Sequence, residues 1–123
     1  MTRTEIYELI QSFGLSSTYY SFPTNEAPAL PYVIYYYPNR DDIFADNENY
    51  VKVELLRIEL YTDTRDFTTE DSIEALLPFP YSKEVVYIDS EKMYQITYET
   101  EVILNEEEVV TLPESEEEVI DGE

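Results

Sequence analysis

The stretch from Tyr50 to Asp63, Tyr-Val-Lys-Val-Glu-Leu-Leu-Arg-Ile-Glu-Leu-Tyr-Thr-Asp, restricts the folds open to this chain more than any other. Apolar residues alternate at Val51, Val53 and Leu55, the phase slips by one, and they resume at Leu56, Ile58 and Leu60. Alternation specifies a half-buried strand, and a slip of one residue flips its faces. Either a β-bulge at Leu55 and Leu56 restores one apolar face, or the strand is long and buries opposite faces along its two halves. With strand patterns on both sides of it in sequence, this run is the expected central strand, with Leu56, Ile58 and Leu60 facing the helices. In both cases it outruns a small core and serves a second surface.

The remaining elements follow in order. Thr2 or Thr4 can cap a helix in which Glu5 and Glu8 fall near the positive end and Ile6, Leu9, Ile10 and Phe13 recur at spacings of three and four; Gly14 sits where a left-handed residue would end it. Ser16 to Phe22 reads as a short strand, and Pro23, Pro28 and Pro31 make the following segment a surface connection. Tyr32 to Tyr37 is apolar or aromatic at every position, the pattern of a strand covered on both faces. If helices cover one face only, its other side chains meet a neighbouring subunit or reach solvent through their hydroxyls. Phe67 to Leu77 predicts a second helix, capped by Thr68 or Thr69, with Ile73, Leu76 and Leu77 as its buried stripe and Pro78 as its stop. A hairpin closes the domain, Lys83 to Ile88 and Lys92 to Leu104, the second arm carrying Tyr94, Ile96, Tyr98, Val102 and Leu104 on one face and Gln95, Thr97, Glu99 and Glu101 on the other.

Two helices packed on one face of a mostly antiparallel sheet of about four to five strands form a two-layer α+β domain over 1–104. Residues 105–123 form an acidic C-terminal tail of different composition. Beyond Asn105 it holds nine acids and no base, leaving 19 acids and 7 bases, or −12, on the rest. Such a run is flexible or ordered by a partner, and its apolar patches, Val109 to Leu112 and Val119-Ile120, could add a strand to a partner's sheet edge.

Charge and composition exclude several function classes. The formal net charge is −21, with 28 acids against 7 scattered bases, so phosphate-neutralising contact with nucleic acid and attraction to anionic membranes are disfavoured. Without Cys or His the chain has no disulfide, no thiolate nucleophile and none of the usual ligands of a structural zinc site. The two glycines, Gly14 and Gly122, leave no phosphate loop. Ser, Thr and Lys residues stand in no recognisable nucleophile motif, so no catalytic residue, metal or cofactor is assigned and a non-enzymatic role is expected. Asp41, Asp42, Asp46 and Glu48, in the polar connection Arg40 to Asn49, lack the alternate spacing and glycine of a calcium loop and read as a solvated loop. The opening residues lack the apolar run of a secretory signal and no stretch reaches membrane-spanning length, so the default expectation is cytoplasmic.

Several segments taken together carry a resemblance. They are the N-terminal helix, the Ala29-Leu30-Pro31-Tyr32-Val33-Ile34-Tyr35 entry into a strand, the long strand ending Glu59-Leu60-Tyr61-Thr62, the helix from Phe67, and the Tyr87-Ile88-Asp89-Ser90-Glu91-Lys92-Met93-Tyr94-Gln95-Ile96-Thr97-Tyr98 hairpin. Over residues 5–104 the chain resembles the tail terminator or tail-completion (head-tail joining) proteins of long-tailed bacteriophages, although the acidic tail departs from their short ends. The resemblance implies a virion structural protein, assembled in the host cytoplasm. It implies a homo-oligomeric ring, usually of six subunits, that caps the tail tube and docks to the head-side connector, with the tube and connector proteins as partners and no catalytic residues. On that reading Tyr35, Tyr36, Tyr37, Val51, Val53 and Leu55 are candidate subunit contacts, and Asp41, Asp42, Asp46 and Glu48 line the lumen. A different class also fits the charge, a DNA mimic or inhibitor occupying a basic groove of a nucleic-acid enzyme; an intracellular adaptor is a third.

Overall fold

A computed structural model describes residues 1–40, 43–45 and 48–105. Two helices, α1 (Arg3–Gln11) and α2 (Phe67–Leu76), accompany six strands: β1 (Ser16–Tyr19), β2 (Tyr32–Tyr36), β3 (Ile43–Ala45), β4 (Glu48–Thr62), β5 (Ser82–Ile88) and β6 (Met93–Leu104). The sheet runs β1-β2-β4-β6-β5, with β3 paired to the start of β4. Among the described residues, β1 and β2 pair in parallel and the other pairings are antiparallel. This is the expected small α+β fold.

The central strand passes its phase slip at Leu55 and Leu56 without a bulge; its register shift lies earlier, between Asn49 and Val51 opposite β3. Its pairing with β6 is continuous from Lys52 opposite Leu104 to Thr62 opposite Tyr94. Leu56, Ile58 and Leu60 are buried on one face, in a cluster with Ile6 and Ile10 of α1, Ile73 of α2, Val33 and Tyr35 of β2, and Ile96, Tyr98, Val102 and Leu104 of β6. An unbroken strand must turn residues of opposite parity to the other face, so Val53 and Leu55 stand, half-buried, on the side away from the helices. The strand is thus long and unbulged at the slip, with Val53 and Leu55 half-buried on the far face while Glu54, on the helix side of the same half, is buried.

Local chemistry sets the helix ends. Thr2 caps α1 in a reciprocal box: its hydroxyl accepts from Glu5 N–H at 3.1 Å, and Glu5 Oε1 accepts from Thr2 N–H at 2.9 Å. Gly14 follows at φ +76, and a Cβ added there would meet nothing within 4 Å. Gly14→Ala is therefore expected to cost only the backbone strain, about 1 kcal/mol, read as a lower midpoint in a urea melt. In α2 the cap is Asp66 rather than Thr68 or Thr69, with Asp66 Oδ1 accepting from Thr69 N–H at 3.1 Å. The expected stripe also shifts: Leu76 is 42% exposed, and the second fully inward residue is Glu70. Its place beneath the helix is held by ions, because Arg65 donates to both its oxygens at 3.0 Å and Lys83 lies 2.9 Å away. At the other helix, Arg3 Nη2 lies 3.0 Å from Glu54 Oε2, tying the first turn of α1 to the helix-side face of β4.

The Arg40 to Asn49 connection differs from its expected form. Residues Arg40 to Asn49 are not simply a loop, since Ile43–Ala45 pairs with the beginning of β4 and Glu48 opens that strand. Asp41, Asp42, Asp46 and the tail beyond Asn105 lie outside the described residues.

Candidate functional site

Both helices bury their apolar sides on one face of the sheet, so the opposite face is where side chains remain for other contacts. Cross-strand register arranges that face in rows. Tyr32 lies beside Tyr61 and Tyr61 beside Gln95; Ile34, Glu59 and Thr97 form the next row; Tyr36, Arg57 and Glu99 the third; then Leu55 with Glu101, and Val53 with Ile103. The face therefore has an aromatic, hydrogen-bonded half around Glu59 and an aliphatic half around Leu55 and Ile103.

The aromatic half is tightly connected. Glu59 is only 7% exposed although it lies on the face away from the core, because Tyr36 and Tyr61 close over it. Tyr36 Oη donates to Glu59 Oε2 at 3.0 Å and Tyr61 Oη to Oε1 at 2.7 Å. Arg57 Nη1 donates to the Tyr36 hydroxyl at 2.9 Å, and its guanidinium also binds the Glu99 carboxylate across the strand pair. Burial pushes the Tyr61 hydroxyl well above its ordinary value, and its bond to Glu59 pushes it further the same way. Burial also raises Tyr36; Arg57 works against this and Glu59 adds to it, with a net rise. Both phenols thus stay protonated donors. The rings extend outward as a wall, with Tyr32 and Tyr61 centroids 5.2 Å apart, Tyr20 against Tyr36 at 5.3 Å and Phe22 edge-on to Tyr32 at 5.2 Å. Rings with locked hydroxyls are rigid contact surfaces that lose little entropy on association, which suits them to protein recognition.

The residues singled out from sequence as subunit contacts divide across this geometry. Tyr36 is on the open face and Tyr35 is not: Tyr35 is 1% exposed and packs within its own core, because alternation in β2 turns it, with Val33, toward the helices. Tyr35 is removed from the contact set. Tyr37, one residue past β2, packs against the core cluster and beneath the Arg3 guanidinium, 5.7 Å from its ring centre. Val53 and Leu55 are on the open face, half-buried. The backbone of Val51 pairs with Ile43; its side chain, like that of Glu48, lies outside the described set.

Arg57, Glu59, Tyr61, Glu99, Tyr20, Tyr32 and Ile103 were not anticipated as site residues. A signal existed for the first three: once β4 is unbulged, they continue the parity of Val53 and Leu55 onto the same face. Among the described residues, no group of three or more Asp or Glu could hold a metal ion, and no helix is long and apolar enough to cross a membrane. A shallow apolar cavity of about 290 Å³, lined by Met1, Pro78, Phe79, Glu101, Val102 and Ile103, opens beside the aliphatic half. No family model matches the chain, and no curated protein matches it.

Proposed function

We propose that this chain is a non-enzymatic structural subunit that assembles with copies of itself into a ring, the role implied by its resemblance to phage tail-completion proteins. The supporting observation is the second face of β4. A heterologous ring contact requires an apolar and aromatic patch that the subunit's own layers leave open. Leu55, Ile103, Tyr20, Tyr32, Tyr36 and Tyr61 form such a patch, with Ile103 at 58% and Tyr20 at 67% exposure. In this reading the ring caps the tail tube and joins it to the connector in the virion. Asp41, Asp42, Asp46 and Glu48 keep their assignment to the lumen, where carboxylates repel DNA phosphates.

Ile103→Asp tests the patch, since the side chain is mostly in solvent and the fold should survive. The expected result is loss of a discrete oligomer in sedimentation velocity, with secondary structure and melting midpoint retained. The oligomer of the parent should persist in about 0.5 M salt, because apolar contacts are not screened. A parent that stays monomeric at all concentrations, alone and with tube ends, would overturn the ring.

A second reading draws on charge. Arg3, Arg57, Arg65 and Lys83 are paired with the chain's own carboxylates, leaving an acidic surface suited to mimicking DNA toward a basic protein. That reading expects a monomer or dimer whose complex with a basic partner dissolves in the same salt.

A further inference from the structure

We propose that the outer edge of β5 is a docking site for an extended, lysine- or arginine-bearing segment of another protein, which joins the sheet as an additional edge strand. The backbone directions follow from one bond. Leu55 N–H donates to Asn39 O at 2.9 Å, on the β2 side of β4, so Leu55 and its partner Glu101 form a pair whose backbone groups point away from each other. Odd-numbered residues of β6 accordingly face β5. Their partners there are Ser82 for Glu99, Glu84 for Thr97, Val86 for Gln95 and Ile88 for Met93. Lys83, Val85 and Tyr87 therefore turn their N–H and C=O groups outward, and β5 is the end strand of the sheet among the described residues.

The edge is open and apolar. Val85, Val86 and Tyr87 are consecutive and 36%, 44% and 46% exposed. Natural sheets blunt such edges with proline, a bulge or an outward lysine. β5 contains no proline and pairs with β6 without a register shift. Its single lysine is drawn under α2, with Lys83 Nζ 2.9 Å from Glu70 and 2.6 Å from Glu74. An edge left this way is a template for strand addition.

Charge selects the occupant. From Phe67 to Lys92, through α2, β5 and the following turn, the chain carries Glu70, Asp71, Glu74, Glu84, Asp89 and Glu91 against Lys83 and Lys92, a local net of −4, and with Glu70 buried the exposed acids are Asp71, Glu84, Asp89 and Glu91. A second copy would bring the same carboxylates to the edge, and like charges brought together across an interface oppose pairing. A basic strand meets complementary charge, with its β-branched residues beside Val85 and Tyr87 on one face and its lysines beside Glu84 on the other. This site rests on the β5 geometry and not on the ring.

The test uses the full chain and a synthetic octapeptide alternating valine with lysine, beside the same peptide with glutamate in place of lysine. The lysine peptide should slow amide hydrogen exchange at Lys83, Val85 and Tyr87 by about tenfold or more, and the glutamate peptide should bind at least about tenfold more weakly. Val85→Pro removes an outward N–H that takes no part in the β5–β6 ladder, so it should keep the fold and abolish peptide binding. Unchanged binding by Val85→Pro, protection at other amides, or unfolding of that variant would overturn the site. So would protection of these three amides that rises with protein concentration without peptide, which would make a second copy the occupant. Failure of the ring appears in sedimentation instead, so the two outcomes are separable.

Discussion

Glu70→Ala should lower the unfolding free energy by about 3 kcal/mol, seen as an earlier urea midpoint with unchanged slope. Glu70 is fully buried, and its loss strands Arg65 beneath α2 and leaves Lys83 with Glu74 alone. Breaking a buried pair costs about 3–5 kcal/mol. The lower end applies here because the two cations keep 31% and 29% side-chain exposure and can partly rehydrate. A pH series isolates the charge. Burial pushes the Glu70 carboxyl up, but its hydrogen bonds and charge contacts with Arg65 and Lys83 more than offset this, so it titrates below its ordinary 4.5 in the folded chain. A carboxyl depressed on folding contributes stability above its unfolded value, and that contribution is lost as pH falls through the folded value. Below about pH 4.5 the parent should lose stability more steeply than Glu70→Gln, which lacks this proton linkage. Asp66 is depressed too but does not touch Glu70, whereas Glu74 is also depressed, shares Lys83 with Glu70 and is pushed up by the Glu70 charge, so the difference in slope reports the Glu70–Lys83–Glu74 cluster. Equal slopes would show that the Glu70 charge contributes nothing to folding.

Leu60→Ala should cost about 3 kcal/mol, and Leu55→Ala less than about 1 kcal/mol. The two leucines lie five residues apart on one strand with the same chemistry, and only parity separates them. Leu60 is wholly buried between Val33 on β2 and Ile96 on β6, under the helices, where lost methyl groups leave a cavity. Leu55 is half-buried on the far face, opposite Glu101, where water can fill the space. Comparable costs in chemical denaturation would contradict the two-faced strand.

The helices, the strands and the helix-facing side of β4 were legible because each carries a regular period: three and four in α1, two in β4 and β6. The parity of β4 also contained the open face, but an ambiguous phase slip hid it until the register with β6 proved continuous. Tyr35 was misplaced because three consecutive tyrosines have no polar member to mark the outward side, leaving the alternation of β2 invisible. Leu76 was misplaced for the opposite reason. A glutamate occupies an inward position of α2, and hydropathy alone gives no sign that Arg65, in the preceding turn, and Lys83, on β5, will converge on it. The network around Glu59 was illegible on similar grounds, since it joins β2, β4 and β6 through pairings distant in sequence. Short β3 lay within a polar segment whose composition masked three strand residues.

The position of β4 between β2 and β6 also sets an order on biosynthesis. β2 precedes β4, but forty-two residues separate the end of β4 from the end of β6. At translation speeds of about 5–20 residues per second, β4 waits roughly 2–8 s for the strand that completes its second edge. During that interval the longest of the described strands presents unpaired backbone groups along one side and a half-built core on one face. The nascent chain's exposure to aggregation and to chaperones is thus timed by the emergence of β6 rather than by either helix.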